Sequence, residues 1–388
     1  MEFRFTEEQQ MIRDTAEAFL AEVSTAAAVR EAMATERGYS DALWQQISEE
    51  LMWPALHIPE AFGGLGLGFV ELAAMQEQMG RTLLCAPFLS TVGFAVNALL
   101  VAGNEAQQTA YLGDIAAGKT ATLAFMAPGS RPDAAAIQAT CRSEGDGFVL
   151  DGEYRYVLDG HTADILVLAA RAPGSVGTEG VSLFVLPAST AGISREWLPT
   201  MDQTRKQARI VLENVQVERS ACMGEAGQAW PALAKTLDLA AIALAAEQVG
   251  VAQQALDSSV AYTTERVQFG RTIASYQAIK HKAADMMLKV EAARSAAYYA
   301  ACIADEALAG GPLGSGLAEA ASIAKAYCSE AAFFNTGCGI QLHGGVGITS
   351  EYDIQLYFKR AKSAETLLGD TAWHRERLAQ QLLDGGEA

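Results

Sequence analysis

The sequence predicts a multidomain α+β chain in three parts: an N-terminal helical domain, a middle β-domain built as a small barrel or sandwich, and a C-terminal four-helix bundle. Three observations predict it. Helical periodicity fills residues 1–118. Short alternating or apolar runs bounded by Gly, Pro and Asp then occupy 119–228. From 229 to 388 four long alanine-rich stretches follow one another with glycine breaks between them.

At 388 residues the chain is long enough for two or three separate cores. Hydrophobic residues make up 50% of it, yet no apolar run approaches the about 18 residues a membrane-crossing helix needs, so no transmembrane span is expected. The start, Met1-Glu2-Phe3-Arg4-Phe5-Thr6, lacks the basic-then-apolar layout of a secretory leader. A formal charge of −18 argues against nucleic acid and anionic membranes as partners. Any anionic ligand must therefore be met by local cations and helix N-termini, not by the global field. Cys85, Cys141, Cys222, Cys302, Cys328 and Cys338 form no Cys-x-x-Cys pair, and none has zinc-ligand spacing with a histidine. They read as reduced, mostly buried thiols of a cytoplasmic protein.

Taken in order, Thr6 and Gln9 form a capping box ahead of a stripe of Met11, Ile12, Ala16, Phe19 and Leu20. Leu43, Trp44, Ile47 and Leu51 share one face of a second helix. Glycines at 63, 64, 66 and 68 break the pattern, and helix resumes at 71–80 and 91–117. Strands are expected at 122–127, 148–150, 154–158, 165–170, 181–186 and 210–217, with Asp151-Gly152 as a hairpin turn. The bundle helices are expected at 237–264, 275–308, 315–342 and 352–383; Gly310-Gly311-Pro312 and Gly344-Gly345 separate three of them. Small residues on their faces permit close helix packing and a subunit interface.

The segment Arg266-Val267-Gln268-Phe269-Gly270 lies between two of these helices. At helical spacing Arg266 and Phe269 share a face, and Gly270 is placed to end the helix. A guanidinium beside an aromatic ring suits a ligand with a diphosphate and a flat ring system. The alternative is a capping loop with one surface arginine.

With Gln277, this segment resembles the Arg-x-x-Phe-Gly…Gln signature of the acyl-CoA dehydrogenase family. The run from Gln341 through Leu342, His343, Gly344 and Gly345 to Gly347 resembles the family's second flavin loop. Residues 59–66 resemble its N-terminal glycine loop, and 212–217 the strand that closes its middle domain. All four stand in family order. The resemblance implies FAD as cofactor, an acyl-CoA substrate, an electron acceptor like electron-transfer flavoprotein, and a homotetramer or a heterotetramer with a homologous subunit. It implies that Arg266, Phe269, Gln277, Gln341, Gly344 and Gly345 reach the diphosphate and adenine side of FAD in a neighbouring subunit. His343, in the same loop, reads as a packing residue. In the β-domain the family's Thr-Glu-Pro-Gly-x-Gly-Ser-Asp is Met126-Ala127-Pro128-Gly129-Ser130-Arg131-Pro132-Asp133, which loses the threonine and serine. Its Trp-x-Thr is Tyr156-Val157-Leu158, leaving Tyr156 to cover a ring face.

The family's chemistry needs a carboxylate to take the α-proton while the β-hydride goes to the flavin. One family position for that base holds Leu368 here, and the other holds Ala240. Asp238, a substrate-side residue in relatives, is kept. The nearest carboxylates, Asp370 and Glu247, are the candidate bases. Each has a structural alternative: Asp370 as the N-cap of 371–383, Glu247 as a buried carboxylate paired at a helix or subunit contact. The Leu368-Gly369-Asp370-Thr371-x-x-His374 version, with Phe358-Lys359-Arg360 before it, resembles the small (β-type) subunit branch of the family, such as the pimeloyl-CoA dehydrogenase small subunit, in which a second, homologous subunit can carry the base. Three functions therefore compete: an acyl-CoA dehydrogenase forming the 2,3-enoyl-CoA, alone or within a hetero-oligomer; a non-catalytic partner of a homologous dehydrogenase; and a flavin monooxygenase or oxidase on the same fold. Arg205, Lys206 and Arg209 read either as a solvated loop or as a CoA phosphate site, and so do Lys359, Arg360 and Lys362.

Overall fold

The computed structural model describes residues 5–129 and 131–383, so the reading of the first four residues and of Ser130 lies outside it. Helices α1 (Glu7–Val23), α2 (Ala26–Ala34), α3 (Asp41–Gln45), α4 (Phe69–Thr82), α5 (Asn97–Ala102), α6 (Glu105–Gln107) and α7 (Gly113–Ala116) come first. Strands β1 (Ala121–Ala124), β2 (Thr140–Glu144), β3 (Gly147–Leu158), β4 (Ile165–Arg171), β5 (Val181–Pro187), β6 (Ile193–Leu198), β7 (Gln207–Glu218) and β8 (Cys222–Met223) follow. The rest is helix α8 (Trp230–Glu265), a small hairpin of β9 (Val267–Gln268) and β10 (Arg271–Thr272), then α9 (Gln277–Ala309), α10 (Leu317–His343), α11 (Ile354–Thr366) and α12 (Thr371–Leu383). Helix, sheet, helix is the predicted order. By compactness the chain forms two units: one gathers residues through Glu31, Phe69–Leu84 and those from Ala241 on; the other holds Ala32–Gly68 and Cys85–Ala240.

Local chemistry sets the boundaries. At α1, Thr6 Oγ1 accepts from the Gln9 N–H at 3.2 Å and Gln9 Oε1 accepts from the Thr6 N–H at 3.1 Å, the expected reciprocal cap. The predicted helix at 91–117 is interrupted, because Gly103 leaves helical geometry and Asn104 opens a new turn through its own capping box with Gln107.

In the second unit, eight strands run in the order β6-β7-β3-β2-β4-β5-β8, with β1 parallel to β4. Phe148, Tyr154, Leu168, Phe184 and Ile210 fill its core. The expected hairpin turn at Asp151-Gly152 lies inside β3 instead. The turn is Gly145-Asp146, between paired Glu144 and Gly147, with Gly145 at φ +57°. Gly152 serves a bulge, where an added Cβ would sit 2.6 Å from Ala139 Cα. Strands β2 and β6 escaped the sequence reading because they carry polar, half-exposed residues.

In the first unit, α4 is buried along nearly its whole length. It meets α8 backbone to backbone. A Cβ on Gly80 would lie 2.0 Å from the Glu247 carbonyl oxygen, and one on Gly250 would lie 1.8 Å from the Glu77 carbonyl oxygen. Helix α8 is the one described helix long and apolar enough by composition to cross a membrane, and 89% of its most apolar window is buried in protein. The expected fourth bundle helix is two helices, α11 and α12. Leu368 at φ +60° and Gly369 at φ +98° cannot continue a right-handed helix.

Gly250→Ala is expected to lower stability by at least the about 1–3 kcal/mol typical of overpacking, read as a shift in the guanidinium midpoint. Gly345→Ala, with no heavy atom within 4 Å of the new Cβ, is expected to leave that midpoint unchanged.

Candidate functional site

Helix α8 ends at Glu265, and Arg266 follows it directly. Val267 and Gln268 pair with Thr272 and Arg271, and Phe269 (φ +53°) with Gly270 (φ +81°) makes the two-residue turn. Arg266 and Phe269 therefore do not share a helical face, as their spacing had predicted; they sit at the base and the tip of a hairpin. Phe269 is 93% exposed there. Arg271 lies over the Tyr276 ring at 3.9 Å. Gln277 opens α9, and among the described residues no side chain caps that helix; the Ile279 N–H already bonds the Tyr276 carbonyl, which leaves the Gln277 and Ala278 N–H groups to face an anion.

Tyr262, one turn before Arg266, stacks on His343 with ring centroids 4.3 Å apart. That contact brings the 266–277 segment and the 341–345 loop to the same end of the bundle. His343 Nδ1 donates to the Gly339 carbonyl at 2.7 Å and the ring is 8% exposed, consistent with a packing role. Gly344, at φ +65° and ψ −142°, uses backbone freedom that a side chain would forfeit. Beside both Gly344 and Gly345 there is open space. Gln341 lines a groove of about 410 Å³ with Lys282, Phe333, Phe334 and Cys338.

On the sheet, Tyr156 sits in an irregularity of β3 between Tyr154 and Val157, at φ +60° and 48% exposed. The Arg155 N–H donates to the Met126 carbonyl at 3.0 Å, so the 126–133 segment starts beside this bulge. Asp133 accepts from the Ala135 N–H at 2.9 Å and caps a short turn. Seven described non-glycine residues have left-handed backbone, and three of them, Tyr156, Phe269 and Leu368, are positions the sequence motifs had singled out. Strain of this kind collects where function over-determines the backbone.

Both candidate carboxylates have structural partners. Glu247 Oε1 lies 2.9 Å from Arg360 Nη1, with side-chain exposures of 4% and 2%. Asp370 Oδ1 accepts from the Trp373 N–H at 2.8 Å and caps α12. Leu368 and Ala240 are buried. The other basic groups are not a solvated loop: Lys206 is buried with Nζ donating to the Met33 carbonyl at 2.8 Å, and Arg209 pairs with Glu153 at 2.8 Å. Lys362 pairs with Glu365 at 2.7 Å.

The sequence reading missed Lys325, and it quoted His374 in the motif that opens at Leu368 without giving it a role. Lys325 is fully buried, and burial pushes its ammonium down to about 7. Burial, then the nearby Lys325, push His374 down to about 3. A signal was present: Ala321, Cys328 and Ala332 stand at helical spacing from Lys325, which places it on the apolar stripe of α10. Among the described residues no cluster of His, Cys, Asp and Glu is able to hold a metal.

Residues 6–119 match the acyl-CoA dehydrogenase N-terminal domain, and residues 227–383 match the acyl-CoA dehydrogenase C-terminal domain. The chain is 35% identical over 363 residues to acyl-CoA dehydrogenase IpdE2 of Mycobacterium tuberculosis, covering 93% of each chain. It is 30% identical over 315 residues to the caffeyl-CoA reductase-Etf complex subunit CarC of Acetobacterium woodii, covering 78% of this chain and 80% of that one. The structure of butyryl-CoA dehydrogenase from Megasphaera elsdenii superposes with a TM-score of 0.91 at 26% identity, covering 99% of this chain and 100% of that one. With both terminal domains matched, and a relative this similar along nearly its whole length, the chain belongs to the acyl-CoA dehydrogenase family.

Proposed function

We propose that this chain is an FAD-binding acyl-CoA dehydrogenase subunit that converts an acyl-CoA to the 2,3-enoyl-CoA beside a homologous subunit supplying the base. One observation carries the reading. The bend that the family resemblance marks as a base position presents a buried leucine, Leu368, while Glu247 is tied to Arg360 and Asp370 caps a helix. A buried charge-paired carboxylate is a poor proton acceptor, since taking a proton would cancel its attraction to the buried guanidinium beside it.

The residues fit a flavin dinucleotide. A ring displayed at a hairpin tip, open space beside two glycines and an exposed tyrosine on a strained bulge are each incomplete as packing but suited to a flat, anionic ligand. When bound, FAD supplies the hydride acceptor. In this reading Arg266 and the start of α9 at Gln277 meet the diphosphate, Gln341, Gly344 and Gly345 let backbone approach it, and Phe269 and Tyr156 offer ring faces. The outward display of Phe269 supports a site completed by a neighbouring subunit. An electron acceptor like electron-transfer flavoprotein fits the complex named for CarC. Domain boundaries near residues 118 and 228 and a cytoplasmic location belong to the same proposal.

The test is absorbance between about 350 and 500 nm, followed anaerobically on addition of acyl-CoAs of varied chain length. The purified chain is expected to bind flavin but not bleach it alone, and to bleach it when co-purified with its partner subunit. Leu368→Glu is expected to gain bleaching without the partner. Bleaching by the wild-type chain alone that disappears in Asp370→Asn would make Asp370 the base and overturn the reading. Glu247→Gln removes the carboxylate charge opposite the buried Arg360 and is expected to cost about 3–5 kcal/mol of stability. Bleaching per folded, flavin-loaded complex should remain at the wild-type rate.

A further inference from the structure

Helix α10 grips the bend at 367–371 from several of its residues. Lys325 Nζ donates to the carbonyls of Glu365 at 3.1 Å and Gly369 at 3.0 Å, on either side of Leu368, and lies 3.0 Å from Ser329 Oγ. His374 reaches the Leu368 carbonyl with Nε2 at 2.9 Å and Ser322 Oγ with Nδ1 at 3.2 Å. Thr371 Oγ1 donates to the Ala326 carbonyl at 3.3 Å. A leucine holds left-handed backbone only where its surroundings impose it, and these contacts are the imposition.

The network continues beyond Lys325. Ser329 Oγ is 3.0 Å from Gln248 Nε2 and 3.3 Å from Gln248 Oε1, on α8. Two complete hydrogen-bond patterns fit these distances. With a charged ammonium, Nζ donates to Ser329 and the Ser329 hydroxyl donates to Gln248 Oε1. With a neutral amine, Gln248 Nε2 donates to Ser329, the hydroxyl donates to Nζ, and both N–H groups stay on the carbonyls. Neither pattern leaves a group of Lys325 or Ser329 unmet, which buried polar networks require.

We propose that Lys325 is the positioning residue of the Leu368-Gly369 bend, and that Ser329 and Gln248 let it hold that bend with or without its proton. Burial brings the change of charge to about 7. The charged and titratable groups around it are Glu365 and Cys328, then Asp370 and His374, with Arg377 facing His374 and Glu77 facing Cys328. Glu247, next to Gln248 in sequence, is committed to Arg360. The clamp concerns the bend itself, so it holds whichever subunit supplies the base.

The test is amide hydrogen exchange on the full chain as purified, comparing wild type with Lys325→Met. The Trp373 and His374 amides, which donate to Asp370, are expected to lose at least about tenfold in protection while α9 amides keep theirs. Unchanged protection overturns the proposal. If Lys325→Met does not fold, Ser329→Ala is read alone: a loss of about threefold or more supports the clamp, and wild-type protection overturns it. A pH series separates a clamp of variable charge from simple packing. The folded value lies below the ordinary lysine value of 10.5, so between about pH 7 and 10 the unfolded chain holds a proton that the native chain has released. Wild type should therefore gain stability over Lys325→Met as pH rises, by about tenfold in the unfolding constant per pH unit, with no gain below about pH 7. A flat ratio overturns the two-state hydrogen-bond scheme.

Discussion

The crossing of α4 over α8 is the constraint on which the first unit depends. With Gly80 and Gly250 facing the carbonyls of Glu247 and Glu77, the two backbones touch with no side chain between them. Such an approach leaves those two glutamates in the buried layer between helices, where a lone charge is costly. Each finds a partner. Glu77 meets Arg294 at 3.0 Å and accepts from the Tyr298 hydroxyl; Glu247 meets Arg360. The next residue, Gln248, then reaches Ser329. A polar layer thus runs from the glycine crossing to the bend after α11, and helix contact and site geometry are parts of one packing solution.

Much of this was legible in the sequence. The capping box at Thr6, the change of texture into short strands and the glycine breaks between bundle helices are local signals, and local chemistry decides them. What escaped was decided by tertiary contact. Asp151-Gly152 has the composition of a turn, but its glycine answers a neighbour, Ala139, rather than a reversal of the chain. Arg266 and Phe269 have helical spacing, yet the left-handed pair Phe269-Gly270 folds them into a hairpin. The apolar neighbours of Lys325 mark it as buried, but only the three-dimensional arrangement gives Lys325 its carbonyl partners and Arg360 its carboxylate partner.

The candidate site positions share a different feature. Tyr156, Phe269 and Leu368 were singled out by motif, and each holds backbone that its side chain disfavours. Leu368, at φ +60°, is buried and carries no group that exchanges a proton. Lys325 and His374 bond the carbonyls of the bend and Asp370 caps the helix that follows it, around a side chain that is only hydrocarbon.

The hairpin tip has a further consequence. Phe269 projects an almost bare benzyl group into water, and Val267 and Ile348 are also largely uncovered. Apolar area of this kind is tolerated once a neighbour covers it and is adhesive until then. Under the proposed pairing with a homologous subunit, copies made in excess of that partner would keep this ring bare and be prone to clump, which ties the solubility of the chain to one projecting side chain.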